Sequence, residues 1–262
     1  MSVIKSIYDP EGGAMKVAVL VSGSGTNFLK IYEEQLRLEK LGEKHYGKVE
    51  VVFTNVPNCK GAEEARDLRI PVLSLSSKSF FEILNVSPDD NEARDFYDAA
   101  TVTLIETICK PDIVALAGYR RRIGGIFLSH YENRIVNLYP GDITKGYLIR
   151  GVDAPIQALR AGEGYIKCTV YLEKDGQRFG PSIVQSQPVS LEGYEERDAP
   201  KMQEKIRKEG EWRIYPFAIH QLIAKGRLGI DQNDKIYVDG KEMPETGYQF
   251  LDSDLSLNCP KK

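Results

Sequence analysis

The sequence predicts an α/β protein: a doubly wound, mostly parallel Rossmann-like sheet, with an antiparallel hairpin and a small C-terminal extension. Three observations predict it. Short, β-branched, charge-free runs alternate with segments of helical periodicity through roughly the first 160 residues, the βαβα order of a parallel sheet. The first of these runs breaks into a glycine-serine loop that opens directly into a helical pattern. After about Gly162 the order changes to two strand-like runs joined by a turn, followed by closing helices.

Residues 1–14 read as an extension, because Met15 opens the first core strand. Residues 17–21 form a strand apolar on both faces, as central strands of parallel sheets are. Gly23 and Gly25 let the backbone turn sharply, and Ser24, Thr26 and Asn27 are placed to cap a helix over residues 28–41. Residues 49–53 form the second strand and 61–68 a short helix. Residues 70–73 read as an edge strand, since Pro71 has no N–H for a central ladder. Residues 74–91 are polar and loop-rich, 92–109 form a long helix, and 113–117 and 134–138 are further buried strands. Runs 165–172 and 182–188 make the hairpin, and 195–208 and 214–225 the closing helices. A small hairpin over 235–243 turns at Asp239-Gly240, and the polar remainder to Lys262 reads as a loosely held tail. The expected division is therefore 1–14 as extension, 15–228 as the main domain, and 229–262 as hairpin and tail.

The 262 residues suit one large domain with an appendage. A formal charge of −3 provides no basic field for nucleic acid. No apolar run reaches membrane-spanning length, and the N-terminus lacks the apolar core of a signal peptide. The four cysteines have no CxxC spacing, which fits a reducing cytoplasm. With only three histidines, a clustered metal site is not expected. The oligomeric state is not legible.

The loop of Gly23, Ser24, Gly25, Thr26 and Asn27 points several main-chain N–H groups at one spot beside the positive end of a helix dipole, which suits phosphate or carboxylate. A dinucleotide is disfavoured. Phe28 occupies the place of the fingerprint's third glycine, and the second strand runs into Thr54 and Asn55 rather than an acid. Ligands of open α/β sheets lie beyond the carboxyl ends of the strands. Here those ends supply residues 23–27, 118–123 and 137–140, and the hairpin turn at 178–181 reaches the same face.

The segments VLVSGSGTN, KPDIVALAGYRRRI, FLSHYENRIVNLYP, FGPSIVQSQPV and GEWRIYP follow one another as do the motifs of the phosphoribosylglycinamide formyltransferase family. The resemblance spans about residues 15–228 and implies the formyltransferase fold. The Asp239-Gly240 hairpin is similar to that family's C-terminal ribbon. The resemblance also implies transfer of a formyl group from 10-formyltetrahydrofolate to the amine of a phosphorylated ribonucleotide. It assigns the substrate phosphate to residues 23–27, gives Glu211 a part in gripping the substrate, and places the pteridine of the folate co-substrate against Arg121, Arg122 and Ile123.

The family's chemistry uses an asparagine and a histidine in N-x-H-P, and an aspartate before the glycines of the hairpin turn. A tetrahedral oxyanion needs donors, and the histidine needs a carboxylate. Here Asn137 matches, the histidine position is Tyr139, and the aspartate position is Arg178. Two further family histidines read as Tyr171 and Trp212. Tyr139 can donate but is a poor base near neutral pH, and Arg178 stabilises negative charge without accepting a proton. Asn137, Tyr139 and Arg178 are thus the expected catalytic set, with Asp142, Asp153 and Asp175 as carboxylates able to replace the lost one. The altered loop from Gly141 to Pro155 is expected to border both substrates. The other reading of the same residues is a catalytically silent relative that holds a phosphate-bearing or other anionic ligand.

Overall fold

The protein, seen in a computed structural model, is described over residues 3–145 and 153–256. Its strands are β1 (Lys5–Ser6), β2 (Met15–Val21), β3 (Gly47–Thr54), β4 (Val72–Ser74), β5 (Ile113–Leu116), β6 (Ile135–Tyr139), β7 (Tyr165–Ile166), β8 (Thr169–Leu172), β9 (Ser182–Gln185), β10 (Val189–Ser190), β11 (Leu228–Ile230), β12 (Ile236–Val238), β13 (Lys241–Glu242) and β14 (Tyr248–Gln249). Eight of them form the central sheet, in the order β14-β9-β8-β6-β5-β2-β3-β4. From β6 to β4 every pairing is parallel. β8 then pairs antiparallel with β6 and with β9, which is the expected hairpin. β4, which follows Pro71, is the edge.

The helices are α1 (Thr26–Lys40), α2 (Lys60–Asp67), α3 (Ser77–Leu84), α4 (Asn91–Glu106), α5 (Gly125–His130), α6 (Ala154–Arg160), α7 (Ala199–Ile206), α8 (Trp212–Phe217) and α9 (Ser253–Ser256). Successive residues of a strand face opposite sides, and β2 serves two cores accordingly. Met15, Val17, Val19 and Val21 join Phe28, Ile31 and the closing helices on one face. Ala18 and Leu20 join Phe81, Tyr97 and Phe127 on the other.

Three expectations are corrected. The polar stretch 74–91 contains α3, capped by the Ser76 side chain on the Ser79 N–H and pinned by Phe81 in the second core. The long run 165–172 is two strands, because β7 leaves the hairpin to pair with β10. The segment after residue 243 is not a loose tail over its described length, since β14 adds a parallel strand to β9 and Phe250 is buried. At the other end, β1 pairs antiparallel with β11, so the N-terminal segment shares a four-stranded sheet with the C-terminal hairpin.

Chain order reverses between β2 and β5, which lie side by side while their following helices cover opposite faces. A cleft opens at such a switch point. The closing helices also have a feature that bears on the cleft. α7 runs through a π-helical turn, Arg207–Glu211, into α8, and a second π-helical turn, Ala218–Ile223, follows Pro216. π-turns insert a residue and re-aim side chains, and the first of these directs Arg207 and Glu211 at the sheet's carboxyl edge.

Candidate active site

The loop after β2 turns through Gly25, at φ +72° in the left-handed region that favours glycine. A Cβ there would stand 2.5 Å from the Gly61 Cα, so α1 and α2 approach where neither carries a side chain. The Gly61 N–H donates to the Gly23 carbonyl (2.8 Å) and fixes the turn. Gly25 is itself the helix cap, and no side chain caps α1. The expectation that Ser24, Thr26 or Asn27 would cap it is therefore corrected. Among the described residues, the N–H groups of Thr26, Asn27 and Phe28 have no protein acceptor, which leaves them available to an anion. The Asn27 side chain instead donates to Glu211 Oε2 (2.9 Å), joining α1 to the π-turn. Burial raises the Glu211 carboxyl above its usual range.

These residues wall a cavity of about 320 Å³, closed by Gly118 and Arg120 after β5, by Asn137 and Tyr139 of β6, and by Tyr171 and Arg207. A second cavity of about 900 Å³ continues on the other side of Asn137, lined by Arg120, Arg122, Ile123, Glu173 and Arg178 among others. Asn137 and Arg120 border both. The loop after β5 is held in place by the Ser22 hydroxyl, which accepts from the Arg120 N–H (2.9 Å) and donates to Asn55. Asn55 thus ties the ends of β2 and β3 together where a dinucleotide enzyme would hold a ribose.

At the border of the two cavities the side-chain amide of Asn137 is fully engaged. Oδ1 accepts from the Leu138 N–H (2.8 Å), which fixes which way the amide faces. Nδ2 then donates to the Tyr171 hydroxyl (2.9 Å) and to Glu173 Oε1 (2.6 Å). Tyr171 donates in turn to the same carboxylate oxygen (3.1 Å). β8 makes this possible: Tyr171 lies opposite Asn137 in the ladder, and Glu173 lies two residues on, hence on the same face. Burial raises both the Tyr171 hydroxyl and the Glu173 carboxyl above their ordinary values. Glu173 was missed in the sequence, although a Tyr-x-Glu facing the strand-end asparagine was the readable signal.

Tyr139 lines the smaller cavity and Arg178 the larger. Phe179 packs between the two tyrosines, 4.9 Å from the Tyr139 ring and 5.3 Å, edge-on, from the Tyr171 ring. The Arg178 guanidinium lies 5.5 Å over Phe179, and its charge works against the burial that raises the Tyr139 hydroxyl. Of the carboxylates offered as replacements, Asp142 accepts from the Thr144 N–H and hydroxyl, and Asp153 accepts from Gln203. Asp175 borders the large cavity from an exposed turn. Much of the altered loop, residues 146–152, lies outside the described residues.

Arg121, expected against the folate, borders the large cavity, but its guanidinium is turned into the protein. It is sandwiched between the rings of Tyr97 (4.1 Å) and Phe81 (4.7 Å) and lies 3.8 Å from Asp98. Burial raises Asp98 to about 6. Ile123 is also buried, in the core on that face. Residues 119–125 of this segment line the large cavity, and Arg122 is the exposed one of the pair it forms with Arg121.

The family model described as Formyl transferase matches residues 15–219. The chain belongs to the formyl transferase family. Its similarity to the phosphoribosylglycinamide formyltransferase of Escherichia coli K12 is 30% identity across 89% of this chain and 98% of that one. With the Bacillus subtilis protein of the same name it is 29% across 82% and 97%. Similarity to the trifunctional purine biosynthetic protein adenosine-3 of Drosophila melanogaster spans 14% of that longer chain. Among solved structures, glycinamide ribonucleotide transformylase 1 from Symbiobacterium toebii superposes with a TM-score of 0.68 at 30% identity, covering 86% of this chain and 94% of that one. The phosphoribosylglycinamide formyltransferase from Coxiella burnetii, at 24% identity, shares the fold with a TM-score of 0.73 over 91% of this chain and 100% of that one. Membership extends to the fold: the predicted α/β, mostly parallel sheet is the one found. No described helix is long and apolar enough to cross a membrane. Among the described residues no group of three or more His, Cys, Asp or Glu side chains is arranged to hold a metal.

Proposed function

We propose that this protein transfers a formyl group from 10-formyltetrahydrofolate to the amine of glycinamide ribonucleotide, a step of purine synthesis in the cytoplasm. The observation that carries the reading is the pair of cavities meeting at Asn137. The smaller has free helix-terminal amides at one end, suited to a phosphate. The larger is of the size that takes a whole cofactor-like molecule. A phosphorylated amine in the first and a formyl-folate in the second would meet where Asn137, Tyr171 and Glu173 converge.

In this reading the amides of residues 24–27 hold the phosphate, and Glu211, tied to Asn27, orients the ribose or amine end. The backbone around Arg121 and Ile123, with Arg122 at the rim, receives the folate. Tyr139 and Arg178 border the reacting carbon and stabilise developing negative charge, as donors rather than bases. Residues 15–228 are the catalytic body, with 1–14 and 229–262 as additions. The test is turnover of the full chain with both substrates, followed by folate absorbance and the mass of the formylated product. Formyl transfer is expected; its absence at every substrate concentration overturns the reading.

A further inference from the structure

We propose that Glu173 is the proton-transfer residue of this site, taking the proton from the attacking amine and delivering it to the departing folate nitrogen. The proposal rests on the formyl-transfer reading and adds a group that the family pattern does not supply. The family's histidine and aspartate positions are Tyr139 and Arg178 here, and neither accepts a proton near neutral pH. The reaction still requires an acceptor. The amine lone pair forms a bond to the formyl carbon while the carbonyl pair moves to oxygen. The new ammonium must lose a proton, and the folate N10 must gain one as its bond to carbon breaks and the carbonyl re-forms. One carboxylate performs both transfers and ends as it began.

Four carboxylates border the two cavities, and geometry separates them. Glu211 is spent on Asn27 at the phosphate end. Asp175 lies in an exposed turn, and Asp95 stands at the far rim beside Gly124. Of the four, Glu173 alone bonds to Asn137, which borders both cavities. Its Oε1 receives two donors, Asn137 and Tyr171, while Oε2 has no hydrogen-bond partner among the described residues. The backbone is anchored too, since the Glu173 N–H donates to the Ile135 carbonyl (2.9 Å). A carboxylate with one oxygen fixed and the other open has the form of a general base.

Burial holds the proton on Glu173 more tightly than on an ordinary carboxylate, bringing it closer to working pH. Tyr171 and, behind it, Tyr215 are the titratable groups packed against it. Arg94, Asp95 and Arg120 to Arg122 stand across the large cavity, with Arg178 on the hairpin side. Lys174 and Asp175 follow in the chain, and Glu132 and Asp234 border the smaller cleft beyond.

The experiment compares kcat against pH for the wild type, Glu173→Gln, Glu173→Asp and Tyr171→Phe, with thermal melts to verify folding. The wild-type rate should fall on the acid side, at a pH above the usual carboxylate range, as Glu173 gains its proton. Glu173→Gln should lose about 10²- to 10⁴-fold in kcat, with KM for the amine changed little and the acid limb gone. Glu173→Asp should recover part of the rate. Tyr171→Phe removes a donor to the ionised form, so its acid limb should move to higher pH. This last variant keeps the test decisive if Glu173→Gln does not fold. A Glu173→Gln enzyme within tenfold of wild type, or an acid limb that neither variant alters, overturns the proposal. A wild type with no turnover overturns the formyl-transfer reading and this inference with it.

Discussion

Asn137 and Glu173 are joined by a 2.6 Å hydrogen bond across the β6–β8 ladder, at the point where the two cavities meet. The bond reassigns the asparagine. Both Nδ2 hydrogens are committed to Tyr171 and Glu173, so in the free protein Asn137 organises a carboxylate and a phenol rather than waiting as a bare donor.

Replacing that amide separates catalysis from binding. Asn137→Ala should lower kcat by about 10²-fold or more, while affinity for the phosphorylated amine, held at the other end of the smaller cavity, stays within a few-fold. Calorimetric titration with the amine substrate beside steady-state rates checks both. An unchanged rate in the variant would contradict the role.

Gly25 tests the anion site. Gly25→Ala places a side chain at φ +72° and a Cβ against the Gly61 backbone, at a cost of about 1–3 kcal/mol. The start of α1 must shift, so KM for the phosphorylated amine should rise by about tenfold or more. KM for the formyl-folate should change far less.

Much of this was legible beforehand, for a physical reason. The strands at 17–21 and 113–117 are apolar on both faces and stand out from their surroundings without any tertiary information, and 134–138 is marked by its Ile135-Val136 pair. The hairpin at Asp239-Gly240 carries its own turn chemistry. What escaped depends on packing. α3 is short and flanked by polar residues, and Phe81 finds its reason only in the core beyond the sheet. β1 and β14 are two-residue strands whose pairing partners lie far away in the chain. Arg121 reads as a folate-contacting cation, because nothing local reveals that Tyr97 and Phe81 flank its guanidinium. Glu173 stayed hidden because the reading followed positions where the family's groups were lost. The replacement sits five residues before Arg178, just past the end of β8.

Arg121 should matter to stability. Arg121→Ala removes a guanidinium stacked on two rings and leaves Asp98 buried without its cation. A loss of about 3 kcal/mol is expected in urea unfolding at neutral pH. A loss below 1 kcal/mol, on the scale of an exposed ion pair, would show the sandwich to be of little consequence.

His220 is a structural histidine. It is fully buried, accepts from the Gly47 N–H at Nδ1 (3.0 Å) and donates from Nε2 to the Ile31 carbonyl (2.9 Å). Burial lowers it from 6.5 to about 4. Because the folded value lies below the unfolded one, its contribution is complete above pH 6.5 and fades as pH falls towards 4, by at most about 3 kcal/mol. Urea melts from pH 7 to pH 4 should therefore fall more steeply for wild type than for His220→Asn, which cannot titrate. Equal slopes would contradict the assignment.

The most direct measurement is a crystal structure of the full chain with glycinamide ribonucleotide and a non-transferable folate analogue. Phosphate oxygens should lie about 3 Å from the Thr26 and Asn27 amide nitrogens, with the amine beside Glu173 and the pterin in the larger cavity. A phosphate bound elsewhere, or an amine turned away from the Asn137–Glu173 pair, would contradict the central claim.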